Sequence, residues 1–152
     1  MERLNLPEGK FSIRKEGEKQ LIFDRWRRKY VALTPEEWVR QHILLYLTTN
    51  LGYPSGLISV EWSVRSGLKQ LRADAVVRTR QGNPLMIIEC KAPHVSLNQD
   101  TFDQAVRYNM PLQAGYILLT NGREHYVLKL NYKTGKAGFI DHIPDYNELT
   151  KS

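Results

Sequence analysis

The segment PLMIIECKAP, residues 84–93, decides how the rest of the chain is interpreted. Up to Ile88 it has the composition of a buried strand, because it is a short apolar run that begins at a proline. A carboxylate and an ammonium then follow, at Glu89 and Lys91. Alternation along a strand places both of these side chains on the face that carries Ile87. Charged residues are rarely buried without a reason, so the segment predicts either a structural ion pair or a functional site.

The strand predicted before this segment adds a second carboxylate. Residues 71–77, LRADAVV, have strand composition and contain Asp74. Gly, Asn and Pro in the link 79–84 predict a turn, so the two strands form a hairpin that brings Asp74 close to Glu89 and Lys91. Two carboxylates and a lysine on adjacent strands fit a site for a hard divalent cation, which prefers oxygen ligands. The structural alternative is a salt-bridged hairpin with surface charges.

These residues and three further blocks, in the same order, resemble a known family. Asp74 and Glu89-Cys90-Lys91, with fourteen residues between the acids, resemble the core motif of the PD-(D/E)xK nuclease superfamily, with Ala73 in place of its proline. The wider pattern resembles the N-terminal nuclease-like domain of type I restriction enzyme R proteins, over about residues 20–130. Its blocks are TPEEWVRQ at 34–41, ECKAP at 89–93, Gln104 with Tyr108, and LTNG at 119–122.

The resemblance implies an α/β (α+β) fold with a restriction-endonuclease-like mixed central β-sheet flanked by helices. The element order expected from the sequence is α-β-β-β-α-β-β, in a single domain over residues 1–152. The implied function is a metal-dependent endodeoxyribonuclease that hydrolyses phosphodiester bonds with Mg²⁺, or with Mn²⁺ as a substitute. Asp74, Glu89 and the backbone carbonyl of Cys90 are the expected metal ligands, and Lys91 is expected to position the attacking water.

The first predicted helix has a clear beginning. Thr34 is a good N-cap, Pro35 suits the first helical position, and Glu37 lies three residues after the cap, as in a capping box. Gly52 predicts that the helix ends near residue 50. In the resembling family a glutamate of this helix reaches the metal site, and Glu37 matches it best, with Glu36 as the alternative. A capping carboxylate with no other role is the simpler interpretation of Glu37.

The second predicted helix, residues 98–110, carries Gln104 and Tyr108 on one face, because they are four residues apart. In the resembling family this pair lies beside the active site and is associated with nuclease activity. The glutamine amide would hold a phosphate or the water. Ordinary polarity of a helix surface is the alternative for both residues.

Charge and composition suggest a phosphate-bearing partner. Lysine and arginine exceed acidic residues by 22 to 16, which gives a net charge of +6. The segment RWRRKY, residues 25–30, interleaves cations with aromatics, so Arg25, Arg27 and Arg28 are predicted to contact DNA. A solvated edge with the tryptophan packed inward is at least as consistent with that segment.

The remaining features concern the ends and the surroundings of the chain. Residues 1–19 are expected to be a loosely held arm and residues 141–152 a polar tail. No apolar run reaches the length of a membrane span, so no membrane partner is expected. The single cysteine, Cys90, cannot form an internal disulfide and favours a reducing, cytoplasmic location.

Two other classes of function remain compatible with the sequence. One is a catalytically silent module of the same fold that binds nucleic acid or protein. The chain has no Walker-type glycine loop, so a helicase, translocase or other protein partner would have to supply any motor activity. The other is an RNA-processing enzyme on the same scaffold, which net charge does not exclude.

Overall fold

The computed structural model describes residues 1–151, without the side chains of residues 62, 64–66, 69 and 71. Nine strands, three α-helices and one 3₁₀ turn, Ser55–Leu57, lie in that range. The elements are β1 Ile13–Glu16, β2 Lys19–Asp24, β3 Lys29–Ala32, α1 Pro35–Asn50, β4 Ile58–Ser66, β5 Lys69–Arg78, β6 Pro84–Cys90, α2 Gln99–Asn109, β7 Tyr116–Thr120, β8 His125–Asn131, β9 Lys136–Ile140 and α3 Tyr146–Lys151.

The main sheet has six strands in chain order, from β4 to β9. Its central pair, β6 and β7, is parallel and is connected through α2, whereas the other neighbours are antiparallel. A second, antiparallel sheet contains β1, β2 and β3. The predicted mixed sheet flanked by helices is therefore confirmed, and the predicted order α-β-β-β-α-β-β appears between α1 and β8.

Helix α1 begins as its sequence predicts and covers one face of the main sheet. The Thr34 hydroxyl accepts the Glu37 backbone N–H at 3.0 Å, and Pro35 occupies the first turn. Val39, Ile43 and Leu47 are fully buried in the main core. They share that core with the sheet residues Ala75, Val77, Met86, Ile88, Tyr116, Leu118 and Val127.

The opposite face of the sheet holds a smaller apolar cluster of Ala73, Val76, Ile87 and Ala114, and α2 packs against β5 and β7. In the β5–β6 ladder, Val76 pairs with Ile87 and Ala75 with Ile88. The next positions along this register are Asp74 and Glu89. Alternation places Glu89 on the face of Ile87. It does not hold at Asp74, because Ala73 and Val76 both lie in the smaller cluster and the Asp74 carboxylate reaches Arg40 of α1.

Both ends of the described chain are held at specific points, in contrast to the loose arm and polar tail expected from the sequence. Leu4 is buried, and the Asn5 N–H donates to the Gly122 carbonyl at 2.8 Å. At the other end α3 buries Leu149 completely, and the Tyr53 hydroxyl donates to the Pro144 carbonyl at 2.7 Å. Apolar residues within each polar segment hold it against the core: Leu4 and Leu6 at one end, and Ile143, Tyr146 and Leu149 at the other.

Strands β3 and β9 were not predicted from the sequence. The link between β7 and β8 has four residues, because Thr120 pairs with His125. The Asn121 side chain organises that link, because its carbonyl oxygen accepts the N–H groups of residues 123 and 124.

Candidate active site

Asp74 and Glu89 lie where β5 and β6 leave their ladder, and the backbone orients one of them directly. The Cys90 N–H donates to Asp74 Oδ2 at 2.7 Å. Glu89 is only 7% exposed, and its Oε1 is buried with no hydrogen-bond partner in the described structure. A buried carboxylate oxygen without a donor is costly, so this position calls for a functional explanation.

Burial controls the protonation of the pair. It raises the pKa of Glu89 to about 8, the Asp74 charge adds to that rise, and the Lys91 ammonium opposes it. Burial also raises the pKa of Asp74, while the Cys90 N–H and the charges of Arg40 and Lys91 oppose the rise. Burial and the Asp74 charge therefore both favour the protonated form of Glu89.

The glutamate of α1 that faces this pair is Glu36. Desolvation and the Asp74 charge raise the pKa of Glu36, and the charges of Lys91 and Arg40 oppose that rise. Glu36 was the alternative in the sequence analysis. Glu37, which the sequence analysis preferred, is the adjacent helix residue, and its side chain points in a different direction.

Both carboxylate oxygens of Glu37 already have donors. Oε1 accepts from Arg27 Nη2 at 2.7 Å, and Oε2 accepts from Gln41 Nε2 at 2.9 Å. Its backbone N–H caps onto Thr34, as the capping-box interpretation predicted. The structure therefore does not bring Glu37 to Asp74 and Glu89 as a free ligand.

The arginine segment divides into inward-facing and outward-facing residues. The Arg27 guanidinium binds Asp24, Glu37 and Glu61, so it is not available to DNA in the way the sequence analysis expected. Trp26 packs against the main core, and its indole N–H donates to the Ser55 carbonyl. Arg25 and Arg28 are exposed and line an open cavity of about 470 Å³.

Lys91 follows directly after β6, and its backbone N–H donates to the Thr120 carbonyl at 2.8 Å. The positive charge of its ammonium opposes the rise that burial causes in the pKa of Asp74, Glu89 and Glu36. Within residues 1–151 it has no carboxylate partner at ion-pair distance. The lysine is thus close enough to act on all three carboxylates electrostatically and is not committed to any one of them.

Cys90 contributes its backbone and not its thiol. Burial holds the pKa of the thiol well above its usual value, so it is an inert, buried side chain.

Gln104 and Tyr108 are half-buried on α2. In the part of the chain that the structure describes, neither side chain hydrogen-bonds to Asp74 or Glu89.

Sequence analysis missed Arg40, which is 8% exposed and lies with its Nη2 3.5 Å from Asp74 Oδ1. The available signal was its spacing, since it follows Glu36 by four residues and shares its side of the helix. Among the described side chains, no three acidic, histidine or cysteine residues are close enough together to form a preassembled metal site.

Fold and site together define an α+β domain of restriction-endonuclease-like architecture, with two carboxylates and a lysine at the strand ends. The chain belongs to the family described as type I restriction enzyme R protein N terminus, whose model matches residues 35–144. No match is found among curated proteins.

A solved fragment, assigned as an HsdR subunit of a type I restriction enzyme from Vibrio vulnificus YJ016, has the same fold. It superposes with a TM-score of 0.56 at 24% identity over 78% of this chain. This chain spans 25% of the length of that fragment.

Within residues 1–151, no helix has both the length and the apolar character needed to cross a membrane.

Proposed function

We propose that this chain is a metal-dependent endodeoxyribonuclease domain of the restriction R-protein type. The observation that carries the proposal is the convergence of Asp74 and Glu89 at one end of the β5–β6 ladder, beside the uncommitted Lys91. Buried, mutually repelling carboxylates with raised pKa values cluster at sites of chemistry more often than in structural cores. Membership of the family supports the same assignment.

The residues present fit a divalent cation. Glu89 Oε1 is a buried oxygen without a donor, and Glu36 brings a third carboxylate towards the pair. Oxygen ligands of this kind suit Mg²⁺ or Mn²⁺. Asp74, Glu89 and the Cys90 carbonyl would hold the ion, with Glu36 supporting them. When bound, such an ion polarises the phosphate and lowers the pKa of a coordinated water.

The side chains of the protein divide the remaining tasks. The Cys90 N–H keeps the Asp74 carboxylate oriented. Glu89 would favour its ionised form beside a bound cation, because the positive charge would offset the repulsion from Asp74, and its proton would leave to solvent. Lys91 orients the attacking water and stabilises negative charge that develops on the phosphate in the transition state.

DNA is the proposed substrate, and a larger assembly is the proposed setting. The net charge of +6 and the exposed Arg25 and Arg28 would attract phosphate groups. Gln104 and Tyr108 are proposed to contact the strand beside the site. The similar solved fragment of an HsdR subunit is about four times as long as the region that matches this chain. A helicase or translocase partner is part of the proposal.

One observation favours the alternative of a catalytically silent binding module. The described residues contain no preassembled group of three ligands, so the carboxylates would have to adjust on binding an ion. Such a module would bind DNA or protein through the same basic surface without hydrolysis.

The test is cleavage of linear, circular and single-stranded DNA by the purified chain, with Mg²⁺, Mn²⁺ or EDTA. We expect cleavage with either ion, none with EDTA, and none by Asp74→Asn. Asp141→Asn, which removes an exposed carboxylate, is the matched control and should cleave normally. Tight DNA binding without cleavage under every condition would instead support the binding module.

A further inference from the structure

Arg40 has no role in the mechanism above, yet it is buried beside the proposed site. It lies on α1, four residues after Glu36, and is 8% exposed. Placing a guanidinium out of water is expensive unless hydrogen bonds compensate for the lost solvation. Its location therefore needs a reason beyond packing.

The contacts of Arg40 are electrostatic and not those of a tightly hydrogen-bonded pair. Its Nη2 lies 3.5 Å from Asp74 Oδ1, and its Nη1 lies 3.7 Å from Glu61 Oε1. Its Nε lies 3.7 Å from Glu37 Oε2. Neither Nε nor Nη1 has a hydrogen-bond acceptor in the described structure. The structural arginine Arg27 donates to Glu37 and Glu61 at 2.7 Å each, and Arg40 makes no contact that short to any described carboxylate.

Glu61 provides an independent sign that this arrangement has a role. It has a φ of 53° within β4, a conformation that non-glycine residues rarely adopt and that concentrates at functional sites. The pairs Val60–Ala75 and Trp62–Ala73 flank it in the ladder, so it lies across from Asp74. Arg27 binds Glu61 and Glu37 at 2.7 Å each, and these are the two glutamates that face Arg40.

We propose that Arg40 is a positioning residue that holds the Asp74 carboxylate against the Cys90 N–H, with Glu37 and Glu61 holding Arg40 in turn. One oxygen of Asp74 is directed by the β6 backbone and the other by α1. The same contact aligns α1, and therefore Glu36, with the strand ends. The importance of that alignment for cleavage rests on the proposed function, whereas the contact itself can be tested separately.

A double-mutant cycle on thermal unfolding, without divalent ions, tests the contact. Arg40→Gln, Asp74→Asn and the double variant are compared with the wild type. We expect the Tm loss in the double variant to be clearly smaller than the sum of the single losses, since each single variant leaves a charge without its partner. Additive losses would overturn the proposal. If Arg40→Gln does not fold, Arg40→Lys takes its place in the same cycle.

Cleavage kinetics test the positioning role. Arg40→Gln should lower kcat by about 10- to 100-fold and leave KM for DNA nearly unchanged, as is typical for residues that orient a ligand of a metal site. Arg40→Lys keeps the charge and should recover part of kcat. Arg123→Gln, which removes an exposed guanidinium bound to Glu2, should behave like the wild type.

The outcomes separate the two proposals. A rise in KM alone, or a wild-type kcat in folded Arg40→Gln, would overturn the positioning role. If the wild type cleaves no DNA, the proposed function fails, while non-additive Tm losses would still support the contact between Arg40 and Asp74.

Discussion

Two groups of acidic residues lie on either side of α1, and they differ in how their charges are compensated. In the first group, Asp24, Glu37 and Glu61 surround the Arg27 guanidinium. In the second, Asp74 and Glu89 lie at the end of the β5–β6 ladder, Arg40 Nη2 is 3.5 Å from Asp74 Oδ1, and Glu89 Oε1 has no donor in the described structure. The first group therefore shares one closely bound cation, whereas Glu89 in the second has no such partner among the described residues.

This difference separates the structural charges from those of the proposed site. Paired acids link the β2–β3 turn to α1 and β4, and they contribute to folding. Uncompensated acids oppose folding, because burial and mutual repulsion raise the pKa of Glu89 to about 8. A protein retains such a cost chiefly where it serves binding or catalysis. The predictions below test this contrast, beginning with the largest expected effect.

Glu89→Gln should abolish a pH-dependent loss of stability. In the wild type, the pKa of Glu89 in the folded state is about 8, above its ordinary value of 4.5. The stability that neutral Glu89 contributes is therefore fully present below pH 4.5 and is lost as the pH rises through 8. The gap corresponds to at most about 5 kcal/mol. Glutamine mimics the neutral acid, so the stability of the variant should not decline between pH 4.5 and 8 for this reason.

Urea unfolding from pH 5 to 9 without divalent ions measures this effect, with the exposed Glu18→Gln as the control. An identical pH dependence in Glu89→Gln and the wild type would show that Glu89 is not a strained acid.

Lys91→Ala should reduce cleavage by about 10²-fold or more, equivalent to about 2.7 kcal/mol of transition-state stabilisation. DNA affinity should change little, because one phosphate contact contributes a small part of total binding. Affinity at fixed salt and cleavage with Mg²⁺ are measured on the same DNA, with the exposed Lys133→Ala as the control. Comparable cleavage by Lys91→Ala and the wild type would exclude a catalytic role for this lysine.

Glu37→Gln should destabilise the fold by about 1–3 kcal/mol, since it weakens the buried contacts to Arg27 and Gln41. Glu36→Gln should change stability by less than about 0.5 kcal/mol, because Glu36 is exposed. Urea unfolding of both variants at pH 7 provides the comparison. Equal stability of the two variants would contradict the division between paired and unpaired acids.

The same two variants should show the opposite order in cleavage. Glu36→Gln should lower kcat and Mn²⁺ affinity by about tenfold each, as expected for an outer ligand. Glu37→Gln should retain more activity than Glu36→Gln once the folded fraction is taken into account. A greater loss in Glu37→Gln would restore the original preference for that residue as the ligand.

Much of the fold was predictable from local signals. Thr34, Pro35 and Glu37 predicted the beginning of α1, and the apolar run of residues 84–88 predicted β6, which the structure pairs in parallel with β7. The edge strand β9 gave no comparable signal. The β9 strand is exposed at nearly every position, so its sequence lacks the alternation that marks a half-buried strand.

By itself the sequence predicted that Asp74, Glu89 and Lys91 lie close together, because strand composition and a turn signal indicate a hairpin. Only the tertiary structure decided which glutamate of α1 acts on them electrostatically. Adjacent helix positions point about 100° apart, so the rotation of α1 against the sheet separates Glu36 from Glu37, and core packing sets that rotation. The same holds for Arg27, because two of its three partners, Glu37 on α1 and Glu61 on β4, are distant along the chain. Local patterns specify elements and faces, whereas charge pairing depends on contacts that exist only after those elements have packed.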